Sequence, residues 1–150
     1  MRTSSLTVAA LLAATTLAGC GGVDKNAYVD SVTNVQETTQ KEATALSTKM
    51  QSAETPAQVG ANLEALAKSV EKNAVALDKI EAPEEVAAQH QEYVKLMKDF
   101  STNLEKLAVK VEKATPTTVP TILTDASKLT TQLSTGETKI VTEINNELQN

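Results

Sequence analysis

The sequence predicts an all-α protein, an up-down-up-down antiparallel four-helix bundle, on three observations. Apolar residues recur at spacings of three and four in four segments. Prolines stand in the breaks between those segments. No stretch of useful length alternates with the period of two that a half-buried strand requires.

The first segment places Tyr28, Val32, Val35, Thr39, Ala43, Leu46 and Met50 along one helical face. The second carries Val59, Leu63, Leu66, Val70, Asn73, Leu77 and Ile80. It opens on Thr55 as N-cap and Pro56 at the first helical position, where a missing N–H costs nothing. The third has the longest stripe, with Val86, His90, Tyr93, Met97, Phe100, Leu104, Leu107 and Val111. Pro83 introduces it, and Glu84 and Glu85 follow at the positive end of the helix dipole. The fourth carries Val119, Ile122, Ala126, Leu129, Leu133, Ile140, Ile144 and Leu148, with Pro120 in its first turn. Gly136 falls inside this stripe, where a glycine can kink or split a helix; the segment is read as one helix. The many threonines are weak helix formers, so packing has to override their preference. Val35, Leu66, Val70, Met97, Phe100, Leu104 and Leu133 are the expected core.

Short connections set consecutive helices side by side and antiparallel. Helices of about 25 to 30 residues, rising 1.5 Å each, make a rod roughly 40 Å long. In this topology the start of the first helix, the turn at residues 80–83 and the C-terminus share one end. The turn at residues 51–56 and the Thr/Pro segment share the other.

The N-terminus carries a separate signal. Met1-Arg2 is followed by an apolar stretch over residues 6–17 and then by Leu17-Ala18-Gly19-Cys20. Thr15 and Thr16 break the apolar run, which is shorter than the roughly 20 residues of a spanning helix. An ordinary secretory signal would end in small residues with no need of a cysteine after them. The four residues resemble the lipobox of bacterial lipoproteins. The resemblance implies that Cys20 receives a diacylglyceryl group and that residues 1–19 are removed as a signal peptide; in that family the new amino group is often acylated as well. Two or more chains, at about 0.8 kcal/mol per buried methylene, hold a protein durably on a membrane.

Residues 20–25 then form the lipidated cysteine and a short tether, and residues 26–150 the bundle domain. Residues 21–25 reach at most about 18 Å at 3.5 Å per residue. The bundle is therefore expected to stand close to the extracytoplasmic face of the cell membrane, its Thr/Pro tip outward. Gly21 lacks the aspartate that signals inner-membrane retention in the lipoproteins it resembles. The lipobox, together with the Ile80-Glu81-Ala82-Pro83 turn leading to His90, is similar to small helical envelope lipoproteins of uncharacterised function.

Composition narrows the partners. The chain has 14 Lys and Arg against 19 Asp and Glu, a formal net charge of −5, and losing Arg2, the only arginine, makes it more acidic still. A nucleic-acid footprint is basic, so that partner class is disfavoured and no nucleic acid is expected. An acidic surface is also repelled by anionic lipid, which leaves membrane attachment to the anchor. With its single cysteine lipidated, the chain has no disulfide to form, and stability must come from packing. The mature length suits one domain.

Reaction chemistry is sparse. The sequence holds no His-Glu-x-x-His, Gly-x-Ser-x-Gly, Cys-x-x-Cys or phosphate-cradling glycine loop. A lipidated cysteine cannot be a nucleophile, and one histidine cannot build a two-histidine metal site within a chain. No catalysis, cofactor or metal is expected. Tyr28, Tyr93 and Phe100 are the only aromatics, too few for a stacking platform.

Two polar residues on apolar stripes stand out. His90 reads either as a packed side chain with one hydrogen bond or as a group that titrates near neutral pH. Asn73 has the same two readings, a buried polar residue that fixes helix register or a functional group. Glu37 with Lys41 and Glu64 with Lys68, spaced i,i+4, read as solvated surface. Residues 115–121 read as a helix connector, with O-glycosylation the alternative that their composition suggests.

Two functions follow. One is a non-catalytic structural or interaction module that faces an envelope protein or a cell-wall component. The other is a carrier of a small apolar ligand or lipid, which would need an interior pocket above roughly 300 Å³ around Phe100, Thr39, Ala43 and Gly136.

Overall fold

Four helices pack together in the computed structural model, which describes residues 23–115 and 117–149 and contains no strand among them. They are α1 (Lys25–Gln51), α2 (Pro56–Asp78), α3 (Ala87–Glu112) and α4 (Val119–Gln149), with a 3-10 turn at Glu84–Val86 leading into α3. The leader at residues 1–19 and Cys20 lie outside the described residues.

Local chemistry explains the ends. Asp24 caps α1, its carboxylate accepting from the backbone N–H of Asn26 at 2.8 Å and of Ala27 at 3.3 Å. At α2, the Thr55 hydroxyl accepts from the Gln58 N–H at 3.3 Å while the Gln58 side chain accepts from the Thr55 N–H at 3.0 Å. This reciprocal pair satisfies two donors that the helix would leave orphaned. Thr55→Ala is expected to cost about 1 kcal/mol, readable as a lower midpoint in a urea titration. The start of the third helix differs from expectation: Glu84 and Glu85 sit in the 3-10 turn, and α-helical geometry begins at Ala87.

Gly136 does not interrupt α4. A Cβ there would come within 2.9 Å of Leu96 Cδ2, so the glycine lets α3 and α4 approach closely. The threonines also fit. Thr38, Thr39, Thr44, Thr130, Thr135, Thr138 and Thr142 each donate a hydroxyl bond to the carbonyl four residues earlier. That leaves no hydroxyl among them to compete for the helix's own N–H groups.

α2 and α3 form the main packed pair, α1 lies against α2, and α4 lies against α3. Every residue of the α3 stripe is buried as far as Val111, because α3 has neighbours on both sides. Of the expected core, Val70, Met97, Phe100 and Leu104 are buried, whereas Val35, Leu66 and Leu133 are only half-buried. Val35 and Leu133 lie on the flanking helices α1 and α4, each of which packs chiefly against one neighbour. On α4, Ile140, Ile144 and Leu148 are buried, but Val119, Ile122, Ala126, Leu129 and Leu133 are covered in part, and Leu123 is 37% exposed.

Candidate functional site

A buried polar seam joins α1, α3 and α4. Its centre is His90, in the first turn of α3 and 1% exposed. The Tyr28 hydroxyl, from the first turn of α1, shares a hydrogen bond of 3.2 Å with His90 Nδ1. The two rings meet edge-on, with centroids 5.6 Å apart. One turn further along α3, Tyr93 donates to Glu137 Oε1 on α4 at 2.9 Å.

Burial sets the proton affinities here. It pushes the Tyr28 hydroxyl up to about 12, and it pushes Tyr93 up as well, reinforced by the charge of Glu137. Glu137 is raised above the ordinary carboxylate range by the same burial, which the Tyr93 hydrogen bond opposes. His90 is lowered from 6.5, because desolvation disfavours its charged form; the Leu77 carbonyl and Asp78 pull the other way. Gln36 Oε1, Gln89 Oε1 and His90 Nε2 are buried without a hydrogen-bond partner among the described residues.

Asn73 belongs to a separate contact. Its amide donates to Glu42 Oε2 on α1 at 2.9 Å, and the Ser69 hydroxyl donates to the same oxygen. Lys72 lies 4.0 Å from the other carboxylate oxygen. The Ser69 bond chiefly holds Glu42 below its ordinary range, with Asn73 and Lys72 assisting against desolvation. Here α1 is pinned on α2 by a charged acceptor that only one register brings to two donors. The structure does not bring Asn73 and His90 together.

Sequence reasoning missed Glu42 and Glu137, although a signal was present. Thr39, Glu42 and Leu46 step by three and four, as do Leu133, Glu137 and Ile140, so both carboxylates occupy stripe positions. Asp24 was missed because Lys25 follows it, with no proline to mark the first helical position as Pro56 does after Thr55.

The crevice between α1 and α4, lined by Tyr28, Val29, Val32, Gln36, Val141 and Ile144, holds about 10 Å³. That is room for about one water molecule. A depression of about 460 Å³ on the outside of α4, lined by Ser134, Thr135, Thr138, Lys139, Thr142 and Glu143, opens to solvent along one helix flank. No group of three or more His, Cys, Asp or Glu side chains is placed to hold a metal among the described residues. No helix among them is long and apolar enough to cross a membrane.

No protein-family model, curated protein or solved structure matches the chain. The seam therefore has to be read from its own chemistry. Its groups can hold or give up a proton, and they join three helices at one place.

Proposed function

We propose that the protein is a lipid-anchored, extracytoplasmic lipoprotein whose bundle serves as a non-catalytic structural or interaction module of the cell envelope. The observation that carries this reading is Leu17-Ala18-Gly19-Cys20 directly after a short apolar run.

The bundle is read as up-down-up-down and antiparallel, and several contacts support that order. Gly60, near the start of α2, faces Ala108 and Val111, near the end of α3. Asp78, at the end of α2, pairs with Lys98 of α3 at 2.8 Å. Lys25, the first residue of α1, donates to the Leu148 carbonyl near the end of α4 at 3.4 Å and pairs with Glu85 at 3.2 Å. In this arrangement the start of α1, the approach to α3 and the end of α4 share the anchored end. The partly covered stripe at the start of α4 faces away from the membrane and is the surface offered to an envelope protein or a cell-wall component. The interaction reading is preferred to a carrier because large side chains fill the α3 stripe around Phe100.

Mass spectrometry of the native protein is expected to find an acylated N-terminus at Cys20. Cys20→Ser should retain its leader and lose lipid labelling. An unmodified thiol, or cleavage elsewhere, would overturn both the address and the orientation. For the interaction reading, a photo-crosslinker at Leu123 should capture an envelope protein or cell-wall fragment that one at the outward-facing Thr131 does not.

A further inference from the structure

His90 stands between two sets of partners, and its charge decides which set suits it. On one side is the Tyr28 hydroxyl, 3.2 Å from Nδ1. On the other are the Leu77 carbonyl and Asp78, at the C-terminal end of α2, both of which favour the charged ring. That end of a helix carries partial negative charge. When Nδ1 accepts from Tyr28, the neutral ring carries its proton on Nε2, which is buried without a well-formed hydrogen bond among the described residues. A protonated ring has a donor on each nitrogen. The Tyr28 hydroxyl then loses the acceptor for its proton, and a buried charge is expensive, so opening the first turns of α1 to water relieves both.

We propose that His90 is an acid-operated latch on α1: the neutral ring offers Nδ1 as acceptor to Tyr28 and holds the first turns of that helix, while protonation removes that acceptor, charges a buried ring and releases them.

The surrounding charges are consistent with two settings. From α1 come Tyr28, whose hydroxyl stays protonated, and Lys25, which is engaged by Glu85. From α2 comes Asp78, shared with Lys98 of α3. Glu137 of α4 is bonded to Tyr93. The response is local to α1 because that helix packs chiefly on α2, while the α2–α3 pair carries most of the core. The latch stands on the buried contact alone. Its consequence, a longer reach between membrane and bundle in acid, rests on the anchoring reading.

Hydrogen exchange on the full chain in detergent tests the latch, comparing about pH 7.5 with about pH 5 after correction for intrinsic rates. Peptides covering residues 24–36 should lose at least about tenfold in protection on acidification, while those of α2 and α3 keep theirs. His90→Gln should remove the step. Tyr28→Phe should leave residues 24–36 poorly protected at both pH values. In the unaltered protein, the imidazole ¹⁵N titration should share its midpoint with the opening of α1, a check that needs no variant to fold. Equal protection at both pH values, a step that survives His90→Gln, loss spread evenly over all helices, or separate midpoints would each overturn the latch. None of these readouts depends on whether Cys20 is acylated.

Discussion

Replacing Phe100 with alanine is expected to destabilise the fold by about 3 to 5 kcal/mol. The ring sits in the middle of α3 and is 7% exposed. It belongs to the one stripe that is buried along its whole length, between α2 and α4. Truncation there loses the transfer free energy of the ring and leaves a cavity that two flanking helices cannot readily fill. Chemical denaturation should show the midpoint moving with the slope unchanged. A loss below about 1 kcal/mol would place the ring at the surface and require a new register for α3.

The next largest effect is expected from Tyr93→Phe, at about 1.5 to 3 kcal/mol near neutral pH. The Tyr93 hydroxyl donates to Glu137 at 2.9 Å, and a bond to a charged acceptor is worth more than one between neutral groups. Glu137 already titrates above 4.5 because burial penalises its charge, and the Tyr93 bond partly offsets that penalty. Without the hydroxyl, Glu137 should titrate higher still.

The sign follows from linkage. A carboxyl whose folded-state proton affinity is raised contributes full stability below its unfolded value and loses it as pH rises through the folded one. The cost of Tyr93→Phe should therefore grow as pH rises above 4.5 and shrink in acid. Glu137→Gln, which keeps an acceptor and removes the charge, should be at least as stable as the parent at neutral pH. Urea titrations on both sides of that window check this. An equal cost of Tyr93→Phe at every pH would mean that the seam does not hold an ionised carboxylate.

His90 carries the opposite sign. Its charged form is the disfavoured one, so stability is complete above 6.5 and declines as acid forces the unfolded chain, and then the folded one, to take up a proton. Two groups in one seam thus pull in opposite directions on acidification. Measured pH profiles of the parent alone will show their difference, and the two variants separate them.

Much of this was legible in the residues. Thr55 and Pro56 mark the start of α2 because a cap and a missing N–H act within one turn, whatever packs outside. The α3 stripe reads as core because Val86 to Val111 keep one face apolar. Glu42 and Glu137 were harder to see. A charged residue on a stripe is read as an error in register until a donor appears across the seam, and Ser69 and Tyr93 lie 27 and 44 residues away. Gly136 was ambiguous for a similar reason: whether a helical glycine kinks or admits a neighbour depends on Leu96, on another helix.

The sequence by itself determined the four helices, the cap that opens α2 and the face that each helix turns inward. Those follow from spacing along one turn and from backbone groups within four residues of a cap. Only the tertiary structure decided how far each face is covered. It buries α3 along its stripe, α4 chiefly past Gly136, and α1 at Tyr28, Val32 and Leu46. It also decided that His90 meets Tyr28 while Asn73 meets Glu42. Burial and hydrogen-bond partners come from chain segments far apart in sequence, and a residue's own position on a stripe does not say which neighbour replaces the water it loses.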